Sequence, residues 1–390
     1  MAKPEICIVV CTYERPDNLR RVLASIAGQR EVAGKLEVVV ADDGSQDETY
    51  EIVEQFRQSA DFPVRFVTHE HHGFCPARCR NEGVAASEAD YLLLLDGDCM
   101  IPPDHLRIHL ERRREGMVRT GDCLRLSPEV SARITESMAR CGKFPALATW
   151  SQRSRIWRKA CKAWWYSVRK HPVKPYLTSN NVGIWREDYF RINGFDENYV
   201  GWGCEDDDFG MRLRRSGLRL ESILWWTNPF HLWHSTDPSM PDRWNQGPNV
   251  AYFKRGFHLV RCGNGVVKRA PWDVGLQLVG QAPRSSVLNR ILPPWCHLAP
   301  QDPQSPAEVE VLFAPSGHSF SGRADCNLLI VAEQNSQFLP QYTKAHVVLA
   351  DHPWLHIHRD HQFGLHEFEA ALRYLLDNAP PAAAARRIAA

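Results

Sequence analysis

The chain has 390 residues, 47 of them basic and 46 acidic, for a formal net charge of +1. That length fits one large or two ordinary domains, and the charge balance excludes a chain built overall to coat nucleic acid. Its twelve cysteines are scattered and form no Cys-x-x-Cys pair, which excludes a dense disulfide framework and reads as reduced thiols of a cytosolic protein. Residues 1–5 run straight into an apolar stretch without a leader-like h-region, and no apolar run reaches transmembrane length. The expected location is therefore cytoplasmic.

Residues 6–10 are continuously apolar and predict a buried first strand. The loop Cys11-Thr12-Tyr13-Glu14-Arg15-Pro16-Asp17 follows, and Leu19, Val22, Leu23 and Ile26 predict a helix over 18–27. Residues 36–40 predict a second strand. It ends at the polar turn Ala41-Asp42-Asp43-Gly44-Ser45-Gln46-Asp47, ahead of a helix through Ile52, Val53 and Phe56. A third strand over 64–67, a loop rich in His, Gly and Arg, and a helix over 77–86 lead to Tyr91-Leu92-Leu93-Leu94-Leu95-Asp96-Gly97-Asp98-Cys99. Strands alternating with helices imply a parallel, doubly wound sheet.

The leucine run reads as a strand buried on both faces that stops at two carboxylates one glycine apart. Unpaired buried carboxylates are costly, so Asp96 and Asp98 belong at the strand's C-terminal tip, the edge where open α/β sheets bind ligands. Two hard oxygen donors there suit Mg²⁺ or Mn²⁺, held jointly with a substrate phosphate. The loops after the other strands gather on the same edge. Asp43 can accept from a nucleobase N–H or a ribose hydroxyl, Thr12 can approach the base, and Arg78 and Arg80 can offset diphosphate charge. Taken singly, each also reads as a solvated loop residue.

Residues 141–186 contain no Asp or Glu. Within them Ile156, Trp157, Ala160, Cys161, Trp164, Trp165 and Val168 fall close to one helical face, bordered by Arg155, Arg158, Lys159, Lys162 and Arg169. This pattern suits peripheral contact with an anionic membrane through 153–170, and equally a core-packed helix with solvated basic residues. Further on stands Gly201-Trp202-Gly203-Cys204-Glu205-Asp206-Asp207-Asp208, then Phe230-His231-Leu232-Trp233-His234-Ser235. Acids in a first helical turn complement the helix dipole, but a helix start does not call for the Trp-Gly-x-Glu-Asp order.

Four blocks carry a family resemblance: Val9-Val10-Cys11-Thr12-Tyr13-x-Arg15-Pro16, Val40-Ala41-Asp42-Asp43-Gly44-Ser45-x-Asp47, Ala77-Arg78-x-Arg80-Asn81-x-Gly83 and Leu95-Asp96-Gly97-Asp98. Together they resemble the nucleotide-sugar domain of family 2 glycosyltransferases. The resemblance implies the GT-A fold, an α/β, Rossmann-like domain with a mostly parallel sheet. It implies that Asp43 contacts the base of a nucleoside diphosphate, with Thr12, Tyr13, Arg78, Arg80, Asp96 and Gly97 on the donor side. Asp98, with Asp96, would handle metal and diphosphate. The Trp202–Asp206 block resembles the acceptor-side motif of β-1,4-galactosyltransferases, polypeptide N-acetylgalactosaminyltransferases and bacterial chondroitin-type polymerases. Carried over, Asp206 is the general base, Glu205 positions acceptor hydroxyls, and Trp202 covers sugar and phosphates. The same pattern implies His234 as a third protein metal ligand, with His231 near the place of a weaker one. An imidazole ligand favours Mn²⁺ over Mg²⁺.

The expected function is that of an inverting, metal-dependent glycosyltransferase. It would move a sugar from a nucleoside diphosphate sugar, UDP-linked, to a glycan hydroxyl of lipopolysaccharide or another envelope polysaccharide. A non-catalytic sugar- or membrane-binding protein on the same scaffold is the alternative, ahead of a nucleotidyltransferase. The domain expectation is a catalytic domain over 1–265, a Pro-rich linker over 266–306, and a small C-terminal α/β domain over 307–390 ending in a disordered tail. His352, His356, His358, His361 and His366 are irregularly spaced and read as solvated or packing residues.

Overall fold

The computed structural model describes residues 3–235, 240–255, 257–281, 283–301, 307–314, 317–332, 344–350 and 361–377. It divides into two compact units, Met1–Phe253 and Lys254–Ala390. All twelve cysteines are free.

In the first unit β1 (Ile6–Thr12), α1 (Pro16–Ala27), β2 (Leu36–Asp42), α2 (Thr49–Ser59), β3 (Val64–Thr68), α3 (Pro76–Ala85) and β4 (Tyr91–Asp96) alternate as the apolar runs require. β1 pairs in parallel with β2 and β4, and β2 with β3. Helices cover both faces, so Ile6, Ile8, Val10, Val38, Val40, Leu93 and Leu95 are buried together. The chain continues through β5 (Cys99–Met100), α4 (His105–Arg112), β6 (Met117–Thr120), β7 (Leu124–Arg125), α5 (Pro128–Arg133), α6 (Glu136–Arg140), α7 (Trp150–Val168), β8 (Val182–Trp185), α8 (Arg186–Arg191), α9 (Glu205–Arg215), β9 (Arg219–Ser222), β10 (Phe230–His231) and α10 (Val250–Phe253). The large sheet has the order β3-β2-β1-β4-β8-β6-β9. It is mostly parallel, as expected of a GT-A domain, with β8 antiparallel to both β4 and β6. A small second sheet, β5-β10-β7, sets Cys99 opposite His231.

Two expectations need correction. The first unit ends at Phe253 rather than at 265, and the described residues within 266–301 belong to the second unit rather than to a linker. They supply β11 (Leu276–Leu278) and α11 (Ser285–Ile291) to the second unit. That unit continues with β12 (Val309–Ala314), β13 (Cys326–Val331), β14 (Val347–Ala350), β15 (Gln362–Phe363) and α12 (Phe368–Asp377). Its sheet runs β11-β12-β13-β14-β15 with every pair parallel. β11 escapes a composition reading because three residues between prolines carry no periodicity, yet they pair with β12 in register Leu276↔Val309. His352, His356, His358 and the tail over 380–390 lie outside the described residues.

The second correction concerns α7. Its apolar residues do not share one buried face: Ile156, Ala160 and Ala163 pack inward, whereas Trp157, Trp164, Trp165 and Val168 are exposed.

Candidate active site

A cavity of about 440 Å³ opens at the C-terminal edge of β1, β2 and β4. Thr12, Tyr13, Asp43, Arg80, Asp96, Gly97, Asp98, Trp202, His231 and His234 all line it. The chain ends of three parallel strands meet there because the strands are in register, Thr12 opposite Asp42 and Cys11 opposite Asp96.

Asp42 and Asp43 divide their work. Asp42 is structural: it accepts from the Gly44 and Ser45 amides at 3.2 and 2.9 Å and from the Thr68 hydroxyl at 2.8 Å, closing the turn. Gly44 has φ +83°, and a Cβ there would sit 2.6 Å from both the His69 carbonyl oxygen and the His71 amide nitrogen. Asp43 faces the cavity instead. Its Oδ1 lies 2.8 Å from His69 Nε2, and its Oδ2 accepts from the Cys75 amide at 3.1 Å. His69 is itself clamped by Glu82 at 2.7 Å, and His71 stacks on Tyr13 with centroids 4.2 Å apart. Sequence reading missed His69 and His71. Their only signal was the His-rich loop that follows β3.

Gly97 permits the close approach of β1 and β4 tips. Its amide donates to the Cys11 carbonyl at 2.7 Å, and a Cβ would lie 2.8 Å from Thr12. Beyond it, Asp98 is buried and meets three nitrogen-bearing side chains: Arg15 Nη1 at 3.1 Å, His234 Nε2 at 3.1 Å and His231 Nε2 at 3.5 Å. Burial pushes the Asp98 carboxyl up, but the hydrogen bond from His234 and the charges of His231, His234 and Arg15 outweigh it and hold the group at about 2. The same hydrogen bond raises the His234 ring. Arg15 sat in the first motif with no role assigned.

Asp98, His231 and His234 offer one ligand atom each, all within 4.8 Å of one another. His234 Nδ1 donates to the Ser235 carbonyl at 2.5 Å, which leaves Nε2 to face Asp98. One carboxylate and two imidazoles with an oriented tautomer fit a divalent transition-metal ion, Mn²⁺ better than Mg²⁺.

Arg80 joins this group to the start of α9. Its guanidinium donates to Asp96 Oδ1 at 3.1 Å, and Nη1 lies 3.8 Å from Glu205 Oε1. Burial alone would lower the Arg80 group; Asp96, Asp206 and Glu205 reverse that and raise it. Asp96 is pushed up by burial, with Arg80 opposing. Glu205 is raised to about 8, first by burial and then by the neighbouring Asp206. Asp206 Oδ2 accepts from the Ser179 amide at 3.0 Å, while Oδ1 is buried without a hydrogen-bond partner among the described residues. Asp208 is again structural, bound by Arg212 Nε at 2.6 Å within α9.

Arg78 departs from its expected place. It does not line the cavity, because its Nε donates to Glu82 at 2.8 Å one turn along α3. Glu205 and Asp206 also stand off the cavity wall, behind Arg80 and Asp96.

The "Glycosyl transferase family 2" model matches residues 7–125, and the "N-terminal domain of galactosyltransferase" model matches residues 167–235. The chain is 29% identical over 228 residues to validoxylamine A glucosyltransferase of Streptomyces hygroscopicus subsp. jinggangensis, covering 55% of this chain and 52% of that one. It is 25% identical over 232 residues to chondroitin synthase of Escherichia coli, covering 56% and 33%. The chain thus spans about half or less of these relatives' own lengths. Among solved structures, the mannosyltransferase PcManGT from Pyrobaculum calidifontis in complex with GDP-Man and Mn²⁺ aligns with a TM-score of 0.42 and 18% identity, over 59% of this chain and 57% of that one.

Proposed function

We propose that the chain, whose residues 7–125 match the glycosyl transferase family 2 model, is an inverting, metal-dependent hexosyltransferase acting from a UDP-linked sugar on a glycan hydroxyl. The observation that carries this reading is the span of Arg80. It reaches Asp96 at the tip of β4 and Glu205 at the start of α9, which supports taking the proposed donor-side and acceptor-side acids as parts of one site.

The chemistry follows from the residues. An acceptor hydroxyl is a poor nucleophile until a carboxylate takes its proton as the new bond forms. Asp206 is that base: the Ser179 amide fixes Oδ2 and leaves Oδ1 for the proton, and because the carboxylate stands behind the cavity wall the reading requires Arg80 or Asp96 to shift when the acceptor binds. The oxygen–carbon bond to the acceptor forms as the bond from the anomeric carbon to the diphosphate breaks. A single base on the face opposite the leaving group gives direct displacement and inversion. Glu205, kept protonated through neutral pH by its burial, can both donate to and accept from acceptor hydroxyls. Trp202 on the cavity wall packs over the sugar, and Asp43 reads the base, its carboxylate oriented by His69 and the Cys75 amide. Asp98, His234 and His231 would hold Mn²⁺, or less suitably Mg²⁺; a bound cation supplies positive charge to the departing diphosphate. An envelope glycan carried on lipid, such as lipopolysaccharide, fits as acceptor. Its synthesis at the inner face of the plasma membrane agrees with the exposed basic helix α7.

The test is a donor screen. Incubation with UDP-, GDP- and dTDP-sugars and Mn²⁺, with EDTA controls, should give metal-dependent thermal stabilisation and slow nucleotide release with one UDP-sugar. Asp206→Asn should abolish transfer to acceptor while donor stabilisation persists. No response to any donor, or unchanged turnover in Asp206→Asn, overturns the reading.

A further inference from the structure

α7 presents an aromatic stripe to solvent. Trp150, Trp157, Trp164 and Trp165 are 83, 60, 56 and 46% exposed, and Val168 and Val173 continue the row at 58 and 52%. Within the helix, Trp150, Trp164, Trp165 and Val168 stand at seven-, eight- and eleven-residue steps from Trp157 and so fall on one side, with Val173 in the segment that follows. The inward stripe, Ile156, Ala160 and Ala163, lies roughly a third of a turn away. The tryptophans are therefore not core residues, although their spacing alone reads that way.

Lone exposed apolar residues need no explanation, but a contiguous aromatic row marks an interaction surface. The charge around it selects the partner. Arg155, Arg158, Lys162 and Arg169 flank the row, and the stretch 141–186 holds no acid. Arg155 and Lys162 have no ion-pair partner among the described residues, while Arg169 stacks on Trp165 with its guanidinium carbon 4.2 Å from the ring centroid. A second copy of this chain would bring the same cations against each other, which disfavours self-association. Tryptophans bordered by cations match a bilayer interface with anionic headgroups, where the rings sit at the polar boundary and the cations meet lipid phosphates.

We infer that this outer face of α7, continued through Val173, docks on an anionic lipid bilayer. The helix is tied to the cavity described above: Gln152 donates to the Arg125 carbonyl at 2.8 Å, and Arg125 lines the cavity wall. Docking would thus hold the mouth of the site close to acceptors embedded in the membrane. The inference does not rest on the transferase reading, since lipid binding is measured without turnover.

The experiment is co-sedimentation of the full chain with phosphatidylcholine vesicles, with and without phosphatidylglycerol, across a salt series. Binding is expected only with the anionic lipid and should weaken as salt rises. Arg155→Gln, Arg158→Gln and Lys162→Gln combined should weaken it about fivefold per charge removed. Trp157→Ser with Trp164→Ser should weaken it at least tenfold at fixed charge. Both variants change exposed residues, and an unshifted melting temperature confirms that they fold. No binding to anionic vesicles at low salt overturns the inference. So does binding that survives the tryptophan substitutions, or a dimer of the free chain in sedimentation velocity that those substitutions abolish.

Discussion

Among the described residues, Arg80 is the one cation that forms ion pairs with Asp96 and Glu205, and it is nearly fully buried. Removing one partner of a buried ionic cluster costs about 3–5 kcal/mol, because the remaining charges stay desolvated. Arg80→Met should therefore lower unfolding stability in urea at neutral pH by that amount. A change under about 1 kcal/mol would mean that the acids do not depend on it. Glu205 gives a complementary, pH-dependent prediction. The folded chain holds the Glu205 proton up to about 8, whereas the ordinary value is 4.5. Between those values the folded state binds the extra proton, so this group's effect on stability worsens as pH rises through the window and stays unfavourable above it. Glu205→Gln carries no such penalty. It should match the wild type near pH 4.5 and exceed it by a few kcal/mol at pH 9 in the metal-free protein. Equal stability at both pH values would show that the Glu205 carboxyl ionises normally in the fold.

At the scale of elements, α3 lies flat on the sheet because Gly83 lets it. A Cβ at that position would sit 2.4 Å from Val9 Cγ1 and 3.0 Å from Ala41 Cβ. Gly→Ala within a helix gains about 1 kcal/mol of propensity, but an overlap this deep belongs at the upper end of the 1–3 kcal/mol typical of overpacking (about 3). Gly83→Ala should thus lower the melting temperature, and a raised one would show that the helix stands further off than described. The strands that frame the site were legible because each is a short apolar run ending in polar residues, which the large sheet then sets in register. The tip carboxylates Asp96 and Asp98 were legible for the same reason. What could not be read was which side chains meet them. Arg15, His69 and His71 reach the site only through the pairing of β1, β2 and β3, and no local pattern encodes that. α7 shows the opposite limit: helical spacing located its apolar stripe, but spacing cannot say whether a stripe faces core or solvent. Arg78 and Arg80 share a helix two residues apart, so they point to different sides; periodicity could have separated them, and the motif alone did not.

Among the described residues, each compact unit has its own principal hydrophobic core. One is built on Ile8, Val38 and Leu93, the other on Val311, Leu328 and Leu349, and each belongs to a different compact unit. Among the described residues, those that line the candidate site belong to the first unit. Ligand binding stabilises what it binds, by about 2.7 kcal/mol at a hundredfold excess over Kd, and for a unit of this size each kcal/mol moves the midpoint by about 2–4 °C. Calorimetry of the intact chain should therefore resolve two transitions. Mn²⁺ with the cognate UDP-sugar should raise one of them by about 5–10 °C and leave the other where it was. Asp98→Ala should erase that shift while both transitions remain, because it removes the carboxylate between His231 and His234 without touching the second core. A single transition that moves as a whole would show instead that the units unfold together, and that binding in one is felt by the entire chain.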